Sequence, residues 1–179
     1  MLDGLPVRLI MLDRFPGIPP VREDGATFQT NAVKKAVQTS RHTILPVLAE
    51  DSGLEVRALQ GRPGVHSARF AGKTQDDRAN VEKLLRVMAR VPAGRRHARF
   101  VCVMAMAAGG RLIQTFQGTC RGSIGFSSAG KRGFGYDPVF IPFGFRRKTS
   151  AQLSAEQKDR LSHRGKAARA LARWLRRSF

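Results

Sequence analysis

Two β-like runs, residues 98–107 and 111–124, are joined through Gly109-Gly110, and this hairpin limits the folds open to the chain more than any other feature. A Gly-Gly pair takes the positive φ angles that a tight two-residue turn demands, so the two runs are expected to pair antiparallel. Elsewhere strand and helix signals alternate without a strict β-α-β period. The reading is therefore a mixed α/β, or α+β, fold in preference to a doubly wound parallel sheet. A length of 179 residues is enough for one domain, 1–179, with a real core.

The remaining elements follow from periodicity and caps. Residues 7–12 read as one strand that ends at the Pro/Gly segment 15–20. Residues 27–41 read as a helix capped by Thr27, with Phe28, Ala32, Lys35/Ala36 and Thr39 on one face. Residues 45–49 read as a buried strand closed at its carboxyl end by Glu50-Asp51-Ser52-Gly53. Residues 74–91 are the clearest amphipathic helix. Thr74 is its cap, Asp76 and Asp77 suit its positive end, and Val81, Leu84, Leu85 and Met88 form its stripe. The glycine-rich segment 122–135 reads as a loop able to close over a ligand. Ser154 and Gln157 form a capping box. Ser162 starts a last helix, with Ala167/Ala168, Leu171, Trp174/Leu175 and Phe179 on one side and arginines around the rest.

The 32 Lys and Arg against 13 Asp and Glu leave a net charge of +19, which concentrates phosphate esters and polyanions at the surface. An Arg-rich composition spread over solvated faces gives the same total, so charge alone fixes no partner. No stretch approaches the ~18 apolar residues that cross a bilayer. Residues 1–6 lack the basic-then-apolar order of a secretory signal, so a cytoplasmic protein without a membrane partner is expected. Cys102 and Cys120 lie in apolar, strand-like runs and are expected as buried, reduced thiols.

Candidate chemistry begins at Glu50 and Asp51. Two adjacent carboxylates where a strand gives way to a turn can converge on a hard cation. Mg2+ keeps several waters and needs one or two carboxylates plus substrate phosphate, so Asp51 with Glu23 or Glu50 would serve. An ordinary Asx turn at Asp51-Ser52-Gly53 accounts for the same letters. Lys35, Lys158 and Arg164 are candidate phosphate-binding cations, although each equally suits a solvated surface. His163 and Arg164 open a helix, where backbone amides point outward at an anion or carbonyl oxygen. A plain surface histidine is the alternative there. Phe134-Gly135-Tyr136-Asp137 offers an aromatic face for stacking and a carboxylate for base N–H groups. A tight turn with Phe134 in the core would use the same residues.

Four blocks in order carry a resemblance: residues 23–32 (Glu-Asp-Gly-Ala-Thr-Phe-Gln-Thr-Asn-Ala), 49–56 (Ala-Glu-Asp-Ser-Gly-Leu-Glu-Val) with 63–70 (Pro-Gly-Val-His-Ser-Ala-Arg-Phe), 133–141, and 153–158 through Ser162-His163-Arg164-Gly165-Lys166-Ala167. Together they resemble the inosine triphosphate pyrophosphatase family, the XTP/dITP diphosphatases. The resemblance implies a long central mixed sheet flanked by helices, two lobes around a nucleotide cleft, and a homodimer. It implies hydrolysis of ITP, dITP or XTP to the monophosphate and pyrophosphate with Mg2+. Asp51 would be the catalytic carboxylate, Glu23 a further metal-site acid, and Lys35 a neighbour of the phosphates. Ser52 would touch the nucleotide, and Phe134, Gly135, Tyr136 and Asp137 would line the base pocket. Lys158, His163 and Arg164 would contact phosphate or the purine oxygen.

Departures from the family pattern accompany the match. Members begin with a strand and a Thr-Gly-Asn-x-x-Lys phosphate loop, and nothing of that kind precedes Val7. The expectation is a true start upstream, or a site that has lost part of its phosphate grip. Thr30 stands where the family has Glu, and Gln152 where an acid precedes the Ser154 helix. A basic protein that keeps the scaffold and binds RNA or another polyanion is the competing reading. A Maf-like pyrophosphatase is a third, disfavoured by the Ser-His-Arg-Gly block.

Overall fold

The computed structural model describes residues 7–72, 74–145 and 147–178. The signal-sequence reading at 1–6 and the place of Phe179 in the last apolar stripe lie outside the described residues. Among these residues four strands form one sheet in the order β1-β2-β3-β4: β1 Val47–Val56, β2 His97–Ala108, β3 Arg111–Ile124 and β4 Phe140–Pro142. The sheet expected to be mixed is antiparallel in every ladder among the described residues. At the β2–β3 turn Gly109 and Gly110 both have positive φ, +53° and +76°, as the right-handed strand twist requires of a two-residue connection. The Gly110 N–H also donates to Ser40 Oγ at 3.0 Å, tying the hairpin tip to the end of the first helix.

Among the described residues four α-helices flank the sheet: α1 Phe28–Thr39, α2 Asp77–Val87, α3 Ala155–Leu161 and α4 His163–Ser178. Thr27 caps α1 in a reciprocal box with Thr30, so the hydroxyl of Thr30 does what a glutamate side chain does in the usual version. Asp76, not Thr74, caps α2, because its carboxylate accepts from Arg78 N at 2.8 Å and Ala79 N at 3.1 Å and a charged acceptor suits the helix's positive end. Ser154 and Gln157 box the start of α3. No described helix is long and apolar enough to cross a membrane.

Two further sequence expectations fail. Residues 7–12 form no strand. They lie exposed and lead into a 3-10 turn at Leu12–Arg14, since no described strand lies beside them to pair their peptide groups. The strand expected to stop at Ala49 continues through Val56, so Glu50, Asp51 and Ser52 sit inside β1 rather than in a turn. Full pairing with β2 holds the polar stretch extended, Asp51 lying opposite Val103.

Alternation along the strands sorts residues onto two faces. Ala49, Val101, Val103, Ala105 and Ala107 pack on Phe28, Ala32 and Ala36 of α1. Leu48, Cys102, Met104 and Phe116 face the other way, onto Ala167, Ala168, Leu171 and Leu175 of α4. Farther along that second face, Leu54, Val56, Ala98, Cys120, Ile124 and Phe140 pack with Val81, Leu84 and Met88 of the α2 region. The α4 body and the α2 body thus share one sheet face. Both cysteines are buried and free.

Candidate functional site

Asp51 stands on the α1 side of β1. Burial raises its carboxyl above the ordinary carboxylate value. A hydrogen bond from Asn31 and the charge of Lys35 pull the other way, while Glu23 adds to the rise. Asn31 is almost fully buried and also accepts from Gly25 N at 2.7 Å, which fixes its amide. Lys35, one helical turn on, pairs with Glu23 at 3.0 Å. Asp51 Oδ2 is buried and has no hydrogen-bond partner among the described residues. A buried carboxylate oxygen left without a donor is costly, and a hard cation or its water would satisfy it. The donor set therefore fits Mg2+, a hard cation that takes oxygen ligands and few carboxylates. No described group of three or more His, Cys, Asp or Glu forms a cage that would hold a metal without such help.

Asn31 was not singled out from the sequence. The usable signal was its spacing, four residues before Lys35 on the face that begins with Phe28.

Glu50 points the other way. Adjacent residues of a strand project to opposite faces, so the two carboxylates expected to converge on one cation are separated by the sheet. Glu50 Oε1 accepts from Arg164 Nε at 2.7 Å and Nη2 at 2.6 Å. Ser52, two residues on and on the same face, lies 3.5 Å from Glu50 and 3.4 Å from Arg164 Nη2. Cys102 Sγ approaches Glu50 Oε2 at 3.7 Å, and burial followed by the Glu50 charge pushes its thiol up to about 12, which keeps it protonated and inert.

The same face gathers the other candidates. The imidazole of His163, first residue of α4, stacks on Phe100 with ring centroids 4.8 Å apart and planes 10° from parallel. Burial, then the positive charges of Arg164 and Lys158, push its pKa down to about 3, so the ring is neutral at physiological pH. Phe134 is largely exposed, with Lys158 Nζ and Arg164 Cζ each 4.9 Å from its ring centroid. Such cation–π contacts hold the ring where a planar ligand can reach it. α4 comes this close to the sheet because β3 presents Gly118 beneath it: a Cβ there would lie 2.0 Å from the His163 carbonyl oxygen.

Gly135, Tyr136 and Asp137, expected to line a base pocket, are each held by contacts within the protein. Tyr136 is buried, and its hydroxyl donates to Ser67 O at 2.8 Å, which anchors this turn. Burial raises the pKa of that hydroxyl. Asp137 is also buried, accepting from Phe134 N at 2.9 Å and pairing with Lys158, so its carboxylate is already committed. Gly135 N donates to Asp77 Oδ2 at 2.6 Å, pinning the loop to the start of α2. Two depressions, of about 310 and 430 Å³, share Arg99, Arg121 and Phe143, and none of the candidate residues lines them.

The chain is similar along nearly its whole length to known proteins. The sequence profile of the Ham1 family matches residues 1–174. A dITP/XTP pyrophosphatase of Geobacillus kaustophilus is 51% identical over 153 residues, which cover 86% of this chain and 74% of that protein. One from Desulforamulus reducens is 46% identical over 172 residues, 96% of this chain and 85% of that protein. The Staphylococcus aureus Ham1 protein superposes with a TM-score of 0.90 at 40% identity, over 96% of this chain and 88% of that one. Four antiparallel strands, the helices that flank them and a match spanning residues 1–174 lead to one conclusion: the chain belongs to the Ham1 family.

Proposed function

We propose that the protein hydrolyses non-canonical purine nucleoside triphosphates, ITP, dITP or XTP, to the monophosphate and pyrophosphate. The observation that carries this is the unpartnered, buried oxygen of Asp51 beside Lys35 and Glu23, on a strand whose other face presents Glu50 to Arg164, which in turn lies over Phe134. Relatives named dITP/XTP pyrophosphatase at 46–51% identity support the same activity.

In this reading Asp51 and Glu23 would hold Mg2+, which when bound would supply charge neutralisation on the phosphates and lower the pKa of water. Asp51 would orient the attacking water and take up its proton, and the hydrogen bond from Asn31 fixes the carboxylate for that role. Lys35 draws the phosphate tail to the α1 side as a point charge. On the α4 side Phe134 stacks on the purine, and Ser52, Lys158 and Arg164 face its oxygens. Gly135, Tyr136 and Asp137 take part by shaping the loop. Arg164, whose guanidinium can only donate, offers N–H groups to the 6-oxo group, and neutral His163 can add one more. Adenine brings an amino group to the same place, leaving two donors face to face and unpaired, which rejects it. The family resemblance also supports a cytoplasmic homodimer.

The test is pyrophosphate release from dITP, XTP and dATP with Mg2+ and with EDTA. Release from the first two alone, abolished by EDTA, is the expected outcome; equal use of dATP or indifference to EDTA would overturn it. The competing polyanion-binding reading has one observation in its favour, the exposed Arg173, Arg176 and Arg177 of α4. It predicts RNA affinity that falls steeply with salt and ignores Asp51.

A further inference from the structure

We propose that Glu50 is a positioning residue for Arg164 and not a ligand of the metal; this rests on the hydrolase reading above. The pleat of β1 sends Asp51 toward α1 and Glu50 toward α4, so a metal bound to Asp51 meets the back of the strand that carries Glu50. The two carboxylates also differ in what they have left to give. Asp51 keeps an oxygen without a donor. Both Glu50 oxygens are engaged, Oε1 by Arg164 Nε and Nη2 and by Ser52, and Oε2 by the Cys102 thiol.

The pair fixes a side chain that would otherwise roam. A guanidinium on a free arginine stem samples many rotamers, and a carboxylate gripping two of its N–H groups selects one. With Nε and Nη2 held by Glu50, Arg164 Cζ rests 4.9 Å from the Phe134 ring. Nη1 then has no acceptor among the described residues, which leaves its two N–H groups for an oxygen of the ligand. Glu50 thus acts on the nucleotide through Arg164, from the face opposite the metal.

Glu50→Gln, Arg164→Ala and the double variant test this with dITP across a magnesium titration. Positioning predicts that Glu50→Gln raises KM about tenfold, the usual scale for a lost charge-assisted contact, with kcat little changed. The half-saturating magnesium concentration should stay at the wild-type value, and the double variant should be no worse than Arg164→Ala alone. A several-fold rise in half-saturating magnesium, or losses that multiply in the double variant, would overturn the proposal. A readout without substrate is the Arg164 Nε–H resonance, expected to be slow to exchange in the wild type and fast in Glu50→Gln. If the wild type releases no pyrophosphate, the hydrolase reading fails by itself, and this resonance still decides the pair: rapid exchange in the wild type sinks the positioning role. Should Glu50→Gln not fold, Arg164→Ala frees Glu50 from the other side, and a changed magnesium dependence there counts against the proposal.

Discussion

Asp51 carries its charge in a place that disfavours charge, and function and stability therefore pull apart at this residue. Burial raises its folded pKa, so the ionised form weakens the fold as pH climbs through that value, and the group is more comfortable protonated. Asp51→Asn should raise Tm at pH ~8 by thermal denaturation while cutting pyrophosphate release roughly 100- to 10,000-fold. Retained turnover would remove Asp51 from the chemistry. His163 has the opposite shift, down to about 3 from 6.5. Above the unfolded value neither state binds the proton. Below it only the unfolded chain does, so stability is fully present above pH 6.5 and declines as pH falls toward about 3. The loss should be on the order of 1 kcal/mol per pH unit, and urea midpoints at pH ~7.5 and ~5 should differ less in His163→Gln than in the wild type. Asp51, Glu23, Lys35, His163 and Arg164 could be nominated from the letters because each is a chemically expressive side chain in a block that carries the family resemblance, and the structure brings Glu23 and Lys35 beside Asp51. The pairing of Glu50 with Arg164 was not, since 114 positions separate them and only the pleat says which neighbour of the acid pair faces α4.

At the scale of elements, α4 depends on a missing side chain in β3. Gly118 leaves room for the helix to lay His163 and Ala167 against the strand, where an added Cβ would meet the His163 carbonyl oxygen at 2.0 Å and the Ala167 nitrogen at 2.6 Å. Backbone atoms cannot swing aside as a side chain can. Gly118→Ala should therefore destabilise by about 1–3 kcal/mol, the usual cost of overpacking, seen as a drop in Tm, and should raise KM for the nucleotide by moving His163 and Arg164. An unchanged KM would show that the first turn of α4 does not set the pocket. The hairpin was readable in advance because Gly109-Gly110 speaks through local geometry alone. The extent of β1 was not: Glu50-Asp51-Ser52-Gly53 has poor strand propensity, and pairing with β2 overrides it. Gly53 shows the tertiary demand, since a Cβ there would lie 2.4 Å from Ser67 Oγ and 2.9 Å from Phe28.

For the whole molecule, a charge of +19 acts at a distance on an anionic substrate. Raising salt from about 0.05 M to about 0.5 M shortens the screening length and should lower kcat/KM for dITP several-fold while kcat holds. Steady-state kinetics at the two ionic strengths check it, and a fall in kcat of the same size would place the effect in folding or metal binding instead. β1 has a consequence at this scale too. Every second residue belongs to a different workshop, so stepping by two along the strand retunes one chemistry without disturbing its neighbour. Inserting or deleting a single residue would trade the tenants of both sides at once, delivering Glu50 to Lys35 and Asp51 to Arg164, so substitution is tolerated in this stretch where a change of length is not.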